Sequence, residues 1–148
     1  MPRSIFINLP VADLDRSVAF YKALGADQNM QFSDATAACM ILSETIHVML
    51  LTHDKFRQFT PRPIADATAG SEVLLCLSAD SREQVDSFVE RGVAAGGAAD
   101  PAAKQDYGVM YGRSVADPDG HIWEVMWMDP AAAEQGASAI DAAVPQSA

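Results

Sequence analysis

The sequence carries one local pattern twice, and this duplication limits the folds open to the chain more than any other feature. In both copies an apolar, strand-like segment runs directly into a polar segment that can begin a helix: 11–16 reads Val-Ala-Asp-Leu-Asp-Arg, and 78–83 reads Ser-Ala-Asp-Ser-Arg-Glu. Short strand-like segments follow each predicted helix. Repetition of such a unit indicates paired copies of one supersecondary structure. We therefore predict an α+β fold built from two βαβββ modules.

The first module is predicted from alternation and from helix-capping signals. In the strand at 5–11, Ile, Leu and Val share one face, so Phe6 and Asn8 would lie on the other. Asp13 is a favourable N-cap residue, and Gly25 is a favourable stop for the helix between them. Three short strands are predicted after this helix, at 28–32, 35–42 and 45–52.

A proline-rich connection follows, and the second module then repeats the order of the first. Residues 53–70 contain two prolines and end on a glycine, which favours either a long connection or a short helix followed by a loop. After a strand at 72–79, Ser81 and Gln84 form a capping-box pattern at the start of the second helix. Weak strand signals at 98–103 and clearer strands at 109–116 and 121–128 complete the module.

These signals divide the chain into one domain and a tail. Module one is predicted at 4–53, the linker at 54–70 and module two at 71–129, so that 1–129 form a single domain. Residues 130–148 are mostly Ala, Ser, Gln and Gly, which bury little apolar surface. We expect a frayed helix or disorder there, or a segment that packs on a second subunit.

Composition and charge exclude several classes of partner. The net charge is −10, from ten Lys and Arg against twenty Asp and Glu, so we expect no binding to nucleic acid. No apolar run approaches the length of a membrane span, and 1–5 lack a signal-peptide pattern, which predicts a cytoplasmic protein without membrane contact. Cys39 and Cys76 lie in apolar segments without CxxC spacing, so both are expected to be free, buried thiols.

The stretch 117–125 combines a tight turn with a single acid in a strand. Asp117-Pro118-Asp119-Gly120 has the residue types of a chain reversal. In the strand that follows, Glu124 shares a face with Ile122 and Met126, and a carboxylate on such a face costs free energy unless it is paired, protonated or bound to a metal. Glu124 therefore either marks a site or is neutralised by a cation such as Arg113.

The order of elements and two motifs resemble the vicinal oxygen chelate superfamily, which includes glyoxalase I, bleomycin-resistance proteins, fosfomycin-resistance enzymes and extradiol dioxygenases. One motif is Asp-Leu-Asp-Arg-Ser-Val-Ala-Phe-Tyr-Lys-Ala-Leu-Gly at 13–25, and the other is Asp-Pro-Asp-Gly at 117–120 with Glu124 four residues later. The likeness covers about 4–128. It implies a curved, cup-like mixed sheet with the helices outside, and a divalent metal at the floor of the cup in the superfamily's enzymes.

The same resemblance implies four ligand positions, and only Glu124 carries a family-matching ligand. The other positions fall at apolar residues, namely Phe6, Met49, and Val73 or Leu74. Divalent metals need oxygen, nitrogen or thiolate donors. A register shift of one residue would bring His47 or Glu72 closer to these positions. We predict no resident cofactor and keep a divalent metal as the alternative.

A ligand pocket in the cup is predicted beside Glu124, with apolar walls and a few polar anchors. Its lining residues are Phe6, Asn8, His47, Met49, Leu74, Tyr111, Arg113, Ile122 and Met126. Ordinary core packing is the competing interpretation for the apolar members. His121 is expected to make hydrogen bonds at the turn and strand end.

Two functions are compatible with this pattern. The first is a small-molecule-binding protein similar to the bleomycin-resistance proteins, with a degenerate metal site and a preference for a cationic or planar ligand. The second is a metal-dependent lyase, isomerase or dioxygenase of the glyoxalase type, with Glu124 as metal ligand or catalytic base. The resemblance implies a homodimer in either case, and a domain that only dimerises is a third possibility.

Overall fold

The computed structural model describes residues 2–143, and the first module has the predicted order of elements. The elements are β1 (Ile5–Val11), α1 (Leu14–Ala23), β2 (Asp27–Asn29), a 3₁₀ turn (Met30–Phe32), β3 (Ala37–Ile41) and β4 (Ile46–Thr52). They form a sheet in the order β1-β4-β3-β2, in which β1 and β4 are parallel and the other pairs are antiparallel.

The second module repeats this arrangement. After α2 (His53–Arg57) and a connection come β5 (Leu75–Ser78), α3 (Arg82–Ala94), β6 (Ala98–Ala99), β7 (Gln105–Asp106), β8 (Met110–Ala116) and β9 (Ile122–Met128). The second sheet has the order β5-β9-β8-β6, with β7 also paired to β8, and β5 is parallel to β9. Two short helices, α4 (Pro130–Gln135) and α5 (Ala137–Ala143), follow. The fold is therefore α+β with two mixed sheets, as predicted.

Local capping explains where both long helices begin. The Asp13 carboxylate accepts a hydrogen bond from the Arg16 amide (3.1 Å) at the start of α1. At the start of α3, the Ser81 hydroxyl accepts from the Gln84 amide (3.1 Å), and the Gln84 side chain accepts in return from the Asp80 amide (2.8 Å). These bonds satisfy backbone donors that have no partner within the helix, and so they set the helix boundaries.

One hydrophobic core joins the two modules, because α1 and α3 pack against one face of the sheets. Its buried side chains come from both halves and include Leu9, Val11, Phe20, Tyr21, Met40, Val48, Leu50, Val85, Val89, Val115, Trp123 and Val125. The chain passes so close to β8 at Gly97 that a Cβ there would lie 2.5 Å from the Ala116 carbonyl oxygen. The face of each sheet opposite the helices is called its open face below.

The structure differs from the sequence predictions mainly at the ends of elements. The strand predicted at 28–32 ends at Asn29, because the Asn29 side chain accepts from the Gln31 amide (3.0 Å) and begins the 3₁₀ turn. In the tail, Asp129 caps α4 and Pro130 occupies its first turn, so 130–143 are largely helical; 144–148 lie outside the described residues. None of the helices within 2–143 is both long and apolar enough to cross a membrane.

Candidate functional site

Glu124 lies in the middle of β9, on the open face of the second sheet. In the sheet register it stands between Cys76 of β5 and Ser114 of β8, and Met126 follows it on the same face. These four residues border a cavity of about 50 Å³. Such a volume holds a few water molecules but not a substrate-sized molecule. The surroundings of Glu124 within one chain are therefore a small niche rather than a cup.

Glu124 is a partly buried residue, yet none of the ion pairs within residues 2–143 includes it. Partial loss of solvation raises the pKa of the neighbouring Cys76 thiol, and the negative charge of Glu124 raises it further. Cys76 is an exposed free thiol, so the prediction that both cysteines are buried holds for Cys39 and is wrong for Cys76. Glu124 can therefore offer its charge to a molecule that reaches this face.

One wall of the niche is a segment, 100–106, that is anchored on both faces of β8. On the open face, the Ser114 hydroxyl accepts from the Ala102 amide (3.2 Å) and donates to the Ala102 carbonyl (3.3 Å). On the helix-facing side, the Asp100 carboxylate accepts from Arg113 Nε (3.1 Å) and Nη2 (2.8 Å). The wall beside Glu124 therefore depends on residues of both faces.

Four of the predicted pocket residues lie together on the open face of the first sheet. Phe6 pairs with His47 and Asn8 with Met49 in the register of β1 and β4. The Phe6 and His47 rings are stacked, with centroids 4.5 Å apart and an interplanar angle of 9°. Phe6 is nevertheless 55% exposed. The stacked rings of Phe6 and His47 form an aromatic platform, and the outer surface of the platform is exposed.

The polar groups of Tyr111 and Arg113 face away from Glu124, because alternation along β8 places both side chains on the helix-facing side of the sheet. The Tyr111 hydroxyl donates to the Asp86 carboxylate of α3 (2.6 Å). Arg113 donates to Asp86 (3.0 Å) and to Asp100 (2.8 Å), and these acids hold the pKa of the guanidinium above its usual range. Tyr111 is not among the residues that border the niche, whereas Arg113 borders it together with Glu124. The alternative that Arg113 neutralises Glu124 is wrong, because within residues 2–143 the guanidinium pairs with Asp86 and Asp100 instead.

The remaining predicted residues are divided between different places. Met126 borders the Glu124 niche, whereas Ile122 and Asn8 border a larger cavity between the modules. Leu74 precedes β5 and is 56% exposed. The residues bordering the niche include none from the first sheet. A single chain therefore does not gather the predicted residues into one cup.

The Asp-Pro-Asp-Gly turn holds the two modules together. The buried Asp117 carboxylate accepts from the Tyr21 hydroxyl of α1 (2.7 Å), and that hydroxyl accepts from Trp123 Nε1 (2.8 Å). Asp119 accepts from the Ala12 amide (2.9 Å). Burial raises the pKa of Asp117, and burial also raises the pKa of Tyr21. The residue types of the turn are therefore explained by hydrogen bonds between the two modules.

His121, next to the turn, links it to the first sheet. Its Nε2 lies 2.9 Å from the Pro10 carbonyl oxygen. A carbonyl oxygen only accepts, so this contact requires the proton on Nε2. The prediction that His121 makes hydrogen bonds at the turn and strand end is confirmed.

The donors of one chain do not fit the metal site that the fold family implies. Within residues 2–143, no group of three or more His, Cys, Asp or Glu side chains is close enough together to hold a metal ion. A divalent metal site generally takes three or four protein donors. Glu124 has Cys76 beside it, and the first-sheet positions carry an aromatic ring and a thioether. We therefore derive no chemical step through a metal.

Comparison with known proteins agrees with this architecture. Residues 4–125 match the family model described as the Glyoxalase/Bleomycin resistance protein/Dioxygenase superfamily. Two modules of one βαβββ pattern, joined through the Asp-Pro-Asp-Gly turn, define the class of fold. The chain belongs to this superfamily. No curated protein matches the sequence.

Several solved structures are similar to the chain. A hypothetical protein from S. aureus is 28% identical, with a TM-score of 0.71, and the match covers 86% of this chain and 94% of that one. A fosfomycin resistance protein from Listeria monocytogenes is 19% identical, with a TM-score of 0.61, covering 86% and 93%. A lactoylglutathione lyase from Agrobacterium tumefaciens is 21% identical, with a TM-score of 0.59, covering 85% and 94%. At these identities the last two show the fold alone.

Proposed function

We propose that the protein binds a small cationic or planar molecule at the open face of the second sheet, with Glu124 as its anionic anchor and without a complete metal site. The observation that supports this is a partly buried carboxylate outside every ion pair of residues 2–143. A charge in such a place gains more from an opposite charge than one in open water, because the effective dielectric constant is lower. We propose binding rather than metal-dependent chemistry because, within residues 2–143, Glu124 belongs to no group of three or more metal-ligating side chains.

A second copy of the chain completes the binding site in this proposal. Large apolar side chains at the start of β1 and before β5 are more than half exposed, namely Ile5, Phe6, Val73 and Leu74. Ile5 and Phe6 are adjacent in the chain, as are Val73 and Leu74, and such exposed apolar pairs are typical of an interaction surface. The Phe6 and His47 platform of a second copy would add an aromatic wall to the niche at Glu124, which by itself is too small for a ligand. We therefore propose a homodimer.

Membership of the superfamily supports a small-molecule role without selecting a reaction. A fosfomycin resistance protein and a lactoylglutathione lyase share the fold, yet their names describe different chemistry. A shared fold does not fix the activity, which depends on the side chains of the site. The proposed function therefore rests on the metal-ligating side chains of this chain and not on the names of the similar structures.

Elemental analysis of protein purified without a chelator tests the absence of a complete metal site. We expect zinc, nickel, manganese and iron well below one ion per chain, even in the dimer. One tightly held ion per chain would overturn the proposal. It would favour a metal-dependent lyase, isomerase or dioxygenase with donors from both subunits.

The thiol of Cys76 reports on ligand binding at Glu124, because the two side chains are neighbours in the sheet. We expect a planar cation such as acriflavine to slow alkylation of Cys76 by iodoacetamide at least fivefold, and we expect Glu124→Gln to abolish this protection. Each rate is compared with that of the same variant without ligand, since removing the Glu124 charge also alters the thiol. Glu83→Gln, an exposed change on α3, is the control and should retain protection. Equal protection in the Glu124→Gln variant would refute the anchoring role.

Sedimentation velocity tests the dimer. Replacement of the exposed Leu74 by Glu should shift the protein towards a monomer. Met30→Glu is the matched control, because Met30 is similarly exposed (69%) but lies at the far edge of the first sheet. A wild-type monomer at micromolar concentration, or identical behaviour of both variants, would contradict the assigned interface.

A further inference from the structure

A second cavity, separate from the Glu124 niche, lies between the end of β1, the 117–120 turn and the 56–73 connection. We call it the linker crevice. Its volume is about 390 Å³, and an adjoining cavity of about 440 Å³ shares Pro10 and His121 with it. The residues that border it include neither Glu124 nor Phe6. Its volume lies in the range of small-molecule pockets, roughly 300–1,000 Å³.

The walls of the linker crevice are held by specific contacts. Gly120 has φ +95°, and a Cβ there would lie 2.8 Å from Thr68 Cγ2, so the glycine allows the connection to pack directly on the turn. The Asp66 carboxylate accepts from the Thr68 amide (2.9 Å) and hydroxyl (2.6 Å). On the opposite wall, the bond between His121 and the Pro10 carbonyl fixes the imidazole ring. The crevice is therefore a formed feature of the fold.

Two opposite charges border the crevice and have no ion-pair partner among the described residues. Arg62 and Glu72 take part in none of the ion pairs of residues 2–143. The acids of the adjoining cavity differ, since Asp66 accepts from Thr68 and Asp119 from the first module. The charges free to meet a ligand are thus one cation and one anion.

The other surfaces of the crevice favour a ligand with an apolar body. Phe56 and Ile122 border it and are only partly buried. When the His121 ring is neutral, the proton on Nε2 leaves Nδ1 as a hydrogen-bond acceptor. The crevice therefore offers a guanidinium donor, a carboxylate, an imidazole acceptor and apolar walls.

We propose that the linker crevice binds an amino-acid-like zwitterion with an apolar side chain. Arg62 takes the carboxylate of the ligand through charge-assisted hydrogen bonds. Glu72 and Nδ1 of His121 accept hydrogen bonds from the ammonium group of the ligand. The apolar side chain lies against Phe56 and Ile122. This site is independent of the one proposed at Glu124.

Isothermal titration calorimetry with three matched probes tests the proposal. The probes are L-phenylalanine, 3-phenylpropanoate without the ammonium group, and phenethylamine without the carboxylate. We expect L-phenylalanine to bind at least fivefold more tightly than either, because only it satisfies both charges. No saturable binding of L-phenylalanine at millimolar concentration, or equal affinity for 3-phenylpropanoate, would overturn the proposal.

Variants that remove one charge test which residue binds the carboxylate of the ligand and which binds its ammonium group. Arg62→Gln should weaken L-phenylalanine about tenfold, as expected for loss of a hydrogen bond to a charged group, and leave phenethylamine unchanged. Glu72→Gln should weaken phenethylamine but not 3-phenylpropanoate. Arg91→Gln, an exposed change on α3, is the control. Both side chains are exposed, so the variants should fold; indifference of L-phenylalanine to both would refute the assignment.

Glu124→Gln separates this proposal from the one at the second sheet. It should leave L-phenylalanine binding intact, and L-phenylalanine should not protect Cys76 from alkylation. Loss of L-phenylalanine binding in the Glu124→Gln variant would contradict a separate site in the linker crevice. Failure of the planar-cation experiment alone would affect only the Glu124 site.

Discussion

The two faces of the second sheet differ in how their charged side chains are paired. On the helix-facing side, Tyr111 and Arg113 bond to acids, and the indole nitrogen of Trp123 donates to a tyrosine hydroxyl. On the open face, Glu124 has no ion pair within residues 2–143, and its neighbour Cys76 is exposed. Paired polar groups stabilise the fold, whereas a partly buried group without an internal partner is available to a molecule from outside.

The largest expected effect compares two residues of β9 on opposite faces. Trp123 is 1% exposed in the core, so Trp123→Ala should lower the free energy of unfolding by about 3–5 kcal/mol. Met126→Ala, on the partly exposed open face, should cost less than about 1.5 kcal/mol because less apolar surface returns to water. Urea denaturation followed by far-UV circular dichroism measures both. Equal losses would show that the open face is as fully packed as the helix-facing one.

An intermediate effect is expected in the buried cluster at the inter-module turn. In Asp117→Asn the side chain loses an acceptor for the Tyr21 hydroxyl proton, and an unsatisfied buried donor costs about 1–3 kcal/mol. Tyr21→Phe removes that donor, so the double variant should be less destabilised than the sum of the two single changes. A double-mutant cycle in urea measures the coupling. Strict additivity would mean that the hydroxyl and the carboxylate act independently.

The smallest effect concerns the acid pairs of Arg113. Hydrogen bonding from Arg113 holds the pKa of Asp100 below its usual value, and hydrogen bonds from Tyr111 and then Arg113 do the same for Asp86. A folded-state pKa below the unfolded one stabilises the protein above the unfolded pKa, about 3.9, and this stabilisation is lost as the pH falls through the folded value.

Arg113→Met should therefore cost about 1–2 kcal/mol at pH 7, a modest value because the Asp86 side chain is 44% exposed. The difference in unfolding free energy between variant and wild type should begin to narrow below about pH 4 and should disappear as the pH falls through the lowered pKa values of the two acids. Unfolding free energies from urea titrations between pH 3 and 7 provide the measurement. A gap that stays constant over this range would assign the role of Arg113 to packing of its aliphatic stem.

Local sequence signals predicted the repeated elements well, because capping and alternation act over a few residues. Asp13 and Ser81 begin the helices as expected, and alternation correctly separated Phe6 and Asn8 from the apolar residues of β1. The faces on which Tyr111 and Arg113 lie could not be predicted in this way. Alternation groups Tyr111 with Arg113, but it does not say which face of β8 meets the helix.

The neighbours of Glu124 could not be predicted from the sequence for the same reason. Cys76 stands beside it only because β5 pairs in parallel with β9 in one particular register, and Ser114 stands there because β8 pairs antiparallel with β9. The linker crevice likewise depends on how the connection packs on Gly120. Such contacts join residues far apart in the chain, and no local pattern encodes them.

By itself the sequence determined the duplicated α+β architecture, the boundaries of its helices and the isolation of one acid among apolar neighbours in a strand. Only the tertiary structure decided which cations and hydroxyls bond to which acids. It pairs Arg113 with acids on the helix-facing side, whereas Glu124 has no ion pair within residues 2–143. Secondary structure follows from interactions between near neighbours, whereas pairing across strands and modules depends on how the whole core packs.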